Sequence, residues 1–458
     1  MWYNDFIKLI EMIYMNFTLP KNVLNIISKM ESNGFQCYTV GGSVRDMLLG
    51  LTPKDYDLTT NAKPDEIISI FKDYKIIDAG IKHGTVAVII DNEVYEITTY
   101  RIDGDYEDNR HPKNVEFTTS LKEDLARRDF TVNAMAYNPS EGVIDYFKGQ
   151  EDLKYKAIRC VGEPDKRFKE DALRILRALR FASTYNFSVE FNTYNAIAKN
   201  KELLNNISKE RIATELVKTL CGENCSYILR RFKDVFAVII PEISTMFHYD
   251  QNTPHHNKTL WKHTVSCVKH IDNDPILRMT MLLHDIGKPM SENKDENGVS
   301  HFRGHEKTGA GIAKIILERL RYPKDFTETV VNLISIHDLR IQPDRIIIKK
   351  VLKNIGSDNF SMLMKIQMAD VLSQSSYRQQ EKVDKLNKVN SIFRDIMDND
   401  ECFSLKYLKV NGSDLMGCGM SKGKIIGDTL NLLLNKVIEN TLINDKETLL
   451  QYVRKNVI

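Results

Sequence analysis

The sequence predicts an α+β chain: a mixed N-terminal head followed by helices alone. Three observations predict it. Between residues 36 and 100, short apolar runs alternate with turn signals, as strands and helices do in a small sheet-bearing domain. From about residue 165 onward, apolar side chains recur at helical spacing and strand signals become sparse. The 458 residues suggest about three domains at roughly 150 residues each, enough to house a head and a long helical remainder.

Taken in order, Met1–Leu19 carries Asp5, Lys8 and Glu11 among apolar residues and has no small-residue cleavage site. It reads as an amphipathic helix or start-site extension, with Met15 a second possible start, and resembles neither a signal peptide nor a membrane span. Lys21–Met30 reads as a helix, with Pro20 where proline is tolerated at a helix start. Gln36–Val40, Thr85–Ile90 and Val94–Thr99 read as strands, and Asp65–Phe71 as a helix. Helical periodicity then covers 168–182, 193–203 and 209–220 and continues to the end, with turn clusters near 250–257 and 290–300. The expected divisions are an extension at 1–20, a head at 21–150, a neck at 151–220, a helical body at 221–375 and a helical tail at 376–458. No internal repeat or low-complexity tract interrupts them.

The 64 basic residues nearly balance 62 acidic ones, so the net charge of +2 does not announce a nucleic-acid partner, and any RNA contact must come from local basic patches. Seven cysteines lie scattered without pairing pattern. They read as incidental or buried thiols in a reducing cytoplasm.

The first chemistry-bearing stretch is Thr39–Thr60, TVGGSVRDMLLGLTPKDYDLTT. A strand ends at Val40, and Gly41-Gly42 let the backbone approach an anion. Arg45 offers a planar fork for a phosphate oxygen. Asp55 and Asp57, two apart on an expected strand, share a face, and two carboxylates on one face call for a cation such as Mg2+. Two-metal phosphoryl transfer uses such a pair. Each part alone is common, but their order and spacing make the combination specific.

This stretch resembles the first motif of the class II polymerase-β-like nucleotidyltransferases, which comprise tRNA nucleotidyltransferases and bacterial poly(A) polymerases. The resemblance continues through Tyr95–Arg101 (YEITTYR), Tyr106–Pro112 (YEDNRHP), Glu123–Ala136 (EDLARRDFTVNAMA) and Glu170–Ala182 (EDALRILRALRFA), covering roughly residues 36–215. It implies a polymerase-β-like head, with Asp55 and Asp57 as Mg2+ ligands and Glu96 as a third, supporting acid. Gly42 and Arg45 would hold the triphosphate. Arg128 and Asp129 would touch the nucleotide, Asp129 at the ribose. Asp171 and Arg174, three apart on one expected helix, would present a base-like edge to cytosine or adenine. Glu170 would position Arg174, and Arg177 and Arg180 would meet phosphates. The polar segment 102–115 matches a mobile loop that the family ties to the switch from C to A, which favours full CCA addition. The implied partners are CTP, ATP and the 3′ end of tRNA, with no membrane.

A second constellation follows. His263, His284, Asp285, His305, His337 and Asp370 stand in the order of an HD-superfamily phosphohydrolase, with LLHDIGKP intact. Imidazole and carboxylate suit a divalent transition metal such as Mn, Fe or Ni, and six positions suggest two ions. Lys288 is placed to approach a phosphate; His301 and Asp338 are weaker candidates. Gly287 and Pro289 are expected to stop the helix and expose its end. Lys406, Lys409, Lys422 and Lys424 in the tail are candidates for tRNA phosphates. Within the same chemistry the rival is a poly(A) polymerase, which usually lacks the HD region. From another class, the rival is an HD phosphohydrolase whose head only recognises RNA.

Overall fold

The computed structural model describes residues 17–77, 80–104, 115–253, 255 and 257–458. The expected N-terminal helix and the motif Tyr106–Pro112 lie outside the described residues, save Phe17–Leu19, as does most of the loop at 102–115. The chain divides into two compact units, Met1–Pro241 and Glu242–Ile458. That division falls inside the expected helical body.

The first unit is built on a seven-stranded sheet. Its strands are β1 (Cys37–Val40), β2 (Leu58–Thr60), β3 (Lys75–Ile77), β4 (Thr85–Ile90), β5 (Glu93–Thr99), β8 (Ala136–Asn138) and β9 (Gly142–Ile144), in the order β3-β4-β5-β2-β1-β8-β9. Between them in sequence, β6 (Arg101–Asp103) and β7 (Val115–Phe117) pair only with each other. β2 and β5 run parallel, while the other neighbours are antiparallel. The β4–β5 hairpin turns at Asp91 and Asn92, with φ of 52° and 66°, the left-handed pair that matches strand twist. The helix Lys21–Ser32 starts directly after Pro20 and buries Val23, Ile26, Ile27 and Met30 at helical spacing.

Gly41 follows β1 with φ +73°, a conformation side chains resist, and the short helix Gly42–Leu48 starts there. Asp55 and Asp57 lie in the segment before β2 rather than within a strand, a correction to the expected Asp-x-Asp strand. The ladder still reaches Asp57, because the Val40 amide donates to the Asp57 carbonyl at 3.0 Å.

The neck is also corrected. Residues 168–182 are not one helix: Pro164–Glu170 ends at Asp171, and a second helix runs Leu173–Thr184. Asp171 is extended, with φ −137° and ψ 104°, and its Oδ1 accepts from the Leu173 amide at 3.0 Å. A short acidic side chain that caps the following amides competes with helix continuation, and here it wins. The helix Lys209–Leu220 packs on Leu173–Thr184, joined where Ser183 Oγ donates to the Thr219 carbonyl at 2.7 Å.

Among the described residues the second unit is mainly helical, with a two-stranded ladder of Asn293–Lys294 with Ser300–His301 in the expected turn cluster and a single bridge between Asp250 and Thr259. Its helices are Leu260–His270, Pro275–Leu283, His305–Arg319, Lys324–Ile336, Arg345–Ile355, Ser357–Ser373, Gln379–Asp398, Gly412–Gly417, Lys424–Ile438 and Lys446–Asn456. One apolar core gathers Ile348, Leu352, Phe360, Leu363, Phe393 and Ile396; another gathers Leu415, Leu433, Leu434, Val437, Leu449 and Val453. The expected exposed end at the HD sequence is overturned. The helix stops at Leu283, and residues 284–288 are buried, because Gly287 packs backbone to backbone on the next ligand-bearing helix. A Cβ at Gly287 would lie 2.4 Å from the His305 carbonyl oxygen and 2.5 Å from the Gly309 amide nitrogen.

Candidate functional site

In the first unit, the parallel register of Leu58 with Ile97 brings Asp57, just before β2, towards Glu96 on β5. Loss of solvation raises the Asp57 carboxyl above its ordinary value; the Asp55 and Glu96 carboxylates push the same way, and the Arg128 guanidinium opposes them. As whole residues Asp55, Asp57 and Glu96 remain open to solvent, and it is the Asp57 carboxyl that neighbouring atoms crowd. Three acids gathered at one spot, with the Arg128 guanidinium acting on Asp57, suit a divalent ion held by oxygen ligands.

Arg128 closes the glycine turn. A Cβ on Gly41 would lie 2.8 Å from Arg128 Nη1, so a side chain there would displace the guanidinium. Arg128 Nε is buried without a hydrogen-bond partner, and Asp124 Oδ2 lies 3.8 Å from Nη2. Gly42 sits under Arg45, with a Cβ position 3.6 Å from Arg45 Nη2. Arg45 itself is engaged: Nη1 donates to Asn133 Oδ1 at 2.6 Å, Nε and Nη2 donate to Asp46 Oδ1, and the guanidinium lies 4.5 Å from the Tyr185 ring centre.

The neck residues fall into separate pairs. Arg174 Nη1 donates to Glu170 Oε2 at 2.6 Å and to the Arg167 carbonyl at 3.1 Å, while Nη2 donates to the Arg127 carbonyl at 3.1 Å. That last bond ties the neck to the residue next to Arg128. The Asp171 carboxylate turns instead to Arg211, at 2.9 Å, so the helix break undoes the expected shared face with Arg174. Asp129 is buried and accepts from Asn133, from the Phe130 amide and twice from Arg177. Burial raises its pKa, but Arg177 and Asn133 outweigh it and bring the carboxyl to about 2. Arg180 Nε donates to Glu215 Oε2 at 2.6 Å. Arg177 and Arg180, expected at phosphates, are thus each held by a carboxylate. Arg211 and Glu215 escaped sequence reasoning, which took 207–220 only as support; an Arg and a Glu four apart were the available signal.

In the second unit, all six HD candidates converge. His263 stands on Leu260–His270, His284 and Asp285 follow Pro275–Leu283, His305 opens its helix, His337 closes another, and Asp370 lies on Ser357–Ser373. His263 Nε2 lies 2.9 Å from Asp370 Oδ1 and 3.5 Å from Asp285 Oδ2. Asp285 Oδ1 is 3.4 Å from His305 Nε2 and 3.7 Å from His337 Nε2, and Asp285 Oδ2 is 3.1 Å from His284 Nε2. The Nδ1 atoms of His284, His305 and His337 each lie 2.7 to 2.8 Å from a backbone carbonyl, of Met281, Phe302 and Ile334. A ring that donates from Nδ1 keeps its Nε2 lone pair for a metal. His305 Nε2 and His337 Nε2 are 3.1 Å apart, two lone pairs that a shared cation reconciles. His284 Nε2 and Asp285 Oδ2 are buried and have no aligned hydrogen-bond partner. The residues present therefore fit metal ions.

Burial alone would raise the Asp285 pKa, but the neighbouring His284 and Lys288 hold its carboxyl well below the usual range. Lys288, expected near a phosphate, is buried, 2.7 Å from Asp285 Oδ2 and donating to Gln251 Oε1 at 3.0 Å. His301 pairs with Asp295 at the surface, and Asp338 is exposed. Cys267, read as an incidental thiol, belongs to the cluster: it groups with His263, His284 and Asp370, and the thiol's four-residue spacing from His263 on one helix was the missed signal.

Three stretches of the chain match known families. Residues 37–159 match the model for the poly A polymerase head domain, 186–247 a probable RNA- and SrmB-binding site of polymerase A, and 308–453 a putative tRNA nucleotidyltransferase domain 2. The CCA-adding enzyme of Ligilactobacillus salivarius (strain UCC118) is 34% identical over 444 residues, 95% of this chain and 96% of that protein. That of Geobacillus thermodenitrificans (strain NG80-2) is 50% identical over 202 residues, 44% of this chain and half of that one. The crystal structure of the Bacillus stearothermophilus CCA-adding enzyme in complex with CTP superposes with a TM-score of 0.67 at 26% identity, covering 96% of this chain and 98% of that one. A Thermotoga maritima CCA-adding enzyme in complex with tRNA shares the fold, with a TM-score of 0.59 at 21% identity over 98% of both chains. Similarity running through nearly the whole length of both sequences, over a sheet and neck arranged as above, has one meaning: this chain belongs to the CCA-adding enzyme family.

Proposed function

We propose that this chain is a tRNA nucleotidyltransferase that adds CCA to tRNA 3′ ends from CTP and ATP, without a nucleic-acid template. The carrying observation is the acidic group of Asp55, Asp57 and Glu96 set against the partly unsatisfied Arg128 over Gly41, tied through the Arg127 carbonyl to Arg174. Asp55 and Asp57 would hold Mg2+, with Glu96 supporting them. Bound there, the ion would supply activation of the attacking 3′ hydroxyl and charge neutralisation at the triphosphate. Gly42 and Arg128 receive the triphosphate, and Arg45, held by Asp46 and Asn133, shapes the turn beneath it. Arg174, positioned by Glu170, and Asp171, held by Arg211 at the helix break, read the base edge from separate places rather than from one helix face. Asp129 anchors Arg177, and Glu215 anchors Arg180, so that both guanidiniums line the neck in fixed poses. The chain acts in five segments, with the extension, head, neck, body and tail divided at residues 20, 150, 220 and 375.

The test uses tRNA lacking its 3′ terminal triplet, Mg2+, and each nucleotide singly and together, with products sized. Three residues ending in A are expected. A long ladder of A would give the poly(A) reading instead, and no addition would refute both. Asp55→Ala should abolish addition, and survival of addition would refute the metal assignment.

A specific observation favours a second activity in the same chain. The locked imidazoles around Asp285, with His305 Nε2 and His337 Nε2 only 3.1 Å apart, suit a two-metal HD centre with Mn, Fe or Ni that hydrolyses phosphate esters, 2′,3′-cyclic phosphates among them. Metal-dependent opening of 2′,3′-cyclic phosphates to monoesters, or release of phosphate from monoesters, unaffected by Asp55→Ala, tests it; neither reaction by the metal-loaded protein would refute it.

A further inference from the structure

The six HD side chains do not exhaust the ligand atoms in that cluster. Cys267 sits one helical turn after His263, on the same face of Leu260–His270, and is fully buried. Its Sγ lies 3.4 Å from His263 Nε2 and 4.0 Å from Asp370 Oδ1. One ligand atom each from His263, Cys267, His284 and Asp370 falls within 4.8 Å of the others. A tetrahedral ion with ordinary zinc–sulfur and zinc–nitrogen bonds has a sulfur-to-nitrogen edge of about 3.6 Å, close to the spacing seen. The sulfur forms no disulfide. An independent pointer comes from His284, whose buried Nε2 has no aligned hydrogen-bond partner.

We propose that Cys267 is a direct metal ligand, so that one of the two metal positions is a sulfur-containing site of His263, Cys267, His284 and Asp370. The other position is Asp285, His305 and His337, with nitrogen and oxygen donors only. The two positions therefore differ in softness. Thiolate selects Zn2+ or Fe2+ over Mg2+ and Mn2+, whereas the second position accepts harder ions as well. This rests on reading the cluster as a metal centre and goes further by dividing it into unlike halves.

The experiment uses the full-length protein, stripped of metal and titrated with Co2+, read by absorbance and by metal content. Cobalt bound to thiolate gives an intense near-ultraviolet charge-transfer band that nitrogen and oxygen ligands do not. The wild type is expected to bind two equivalents and to show the band. Cys267→Ser should lose the band and bind Zn2+ at that position about tenfold or more weakly, while Cys418→Ser keeps both properties. Two equivalents bound by the wild type without the band would overturn the role of Cys267 and leave the metal centre standing. No bound metal at any ratio would overturn both. The wild-type spectrum decides the question even if Cys267→Ser fails to fold.

Discussion

Replacing Asp129 with asparagine tests whether the neck is held to the head by charge. The Asp129 carboxylate is 8% exposed, and its Oδ2 takes Arg177 Nε at 2.8 Å and Nη2 at 2.5 Å. Holding its pKa at about 2 instead of 3.8 stabilises the folded anion by about 2.5 kcal/mol, at ~1.36 kcal/mol per pH unit. The Arg177 side chain is 35% exposed, so solvent screening trims that figure, and we expect Asp129→Asn to cost about 2 kcal/mol. Because the folded pKa is the lower one, the stabilisation is present above pH 3.8 and is lost as pH falls through about 2. Hydrogen exchange read by mass spectrometry localises the effect. Amides of Leu121–Ala126 and Leu173–Thr184 should exchange roughly 30-fold faster, the rate equivalent of ~2 kcal/mol, while helices of the second unit keep their protection. An unchanged rate in those helices would refute the argument, as would an equal loss in both units.

Three further outcomes follow from contacts described above. Gly41→Ala forces a side chain into φ +73° and against Arg128 Nη1, so the KM for both nucleotides should rise about tenfold with circular dichroism unchanged. Arg211→Ala releases the Asp171 carboxylate, and the ratio of kcat/KM for CTP over ATP should shift by about tenfold, measured on tRNA ending at successive positions. Gly287→Ala presses a methyl on backbone atoms of His305 and Gly309 and should destabilise the second unit by about 3 kcal/mol. Its denaturant midpoint should fall, and its metal content with it.

Much of the architecture is readable from periodicity. Thr85–Ile90 is a strand over its expected bounds, and the six HD residues meet because each sits at a helix end or on an inward face. The break at Asp171 was not readable, because EDALRILRALRFA keeps a helical apolar rhythm straight through it. What ends the first helix is one backbone conformation and one capping oxygen, and neither alters that rhythm. The pairing of Arg177 and Arg180 was hidden for a related reason. Their partners, Asp129 and Glu215, are far along the chain, and only folding brings them close. Cys267 was passed over because a lone thiol carries no pattern of its own; its meaning comes from His263 one turn before it.

The contact of Gly287 on Gly309 has a consequence for how the cluster tolerates change. There the segment carrying Asp285 rests on the helix that starts at His305, peptide against peptide, with no side chain between them. Main-chain atoms in van der Waals touch are a stiff gauge, since no rotamer can adjust to absorb a shift. Exchanges among the surrounding leucines and isoleucines would loosen the unit well before they altered the gap between these two donors. The dimension an ion feels is thus insulated from drift in the apolar interior.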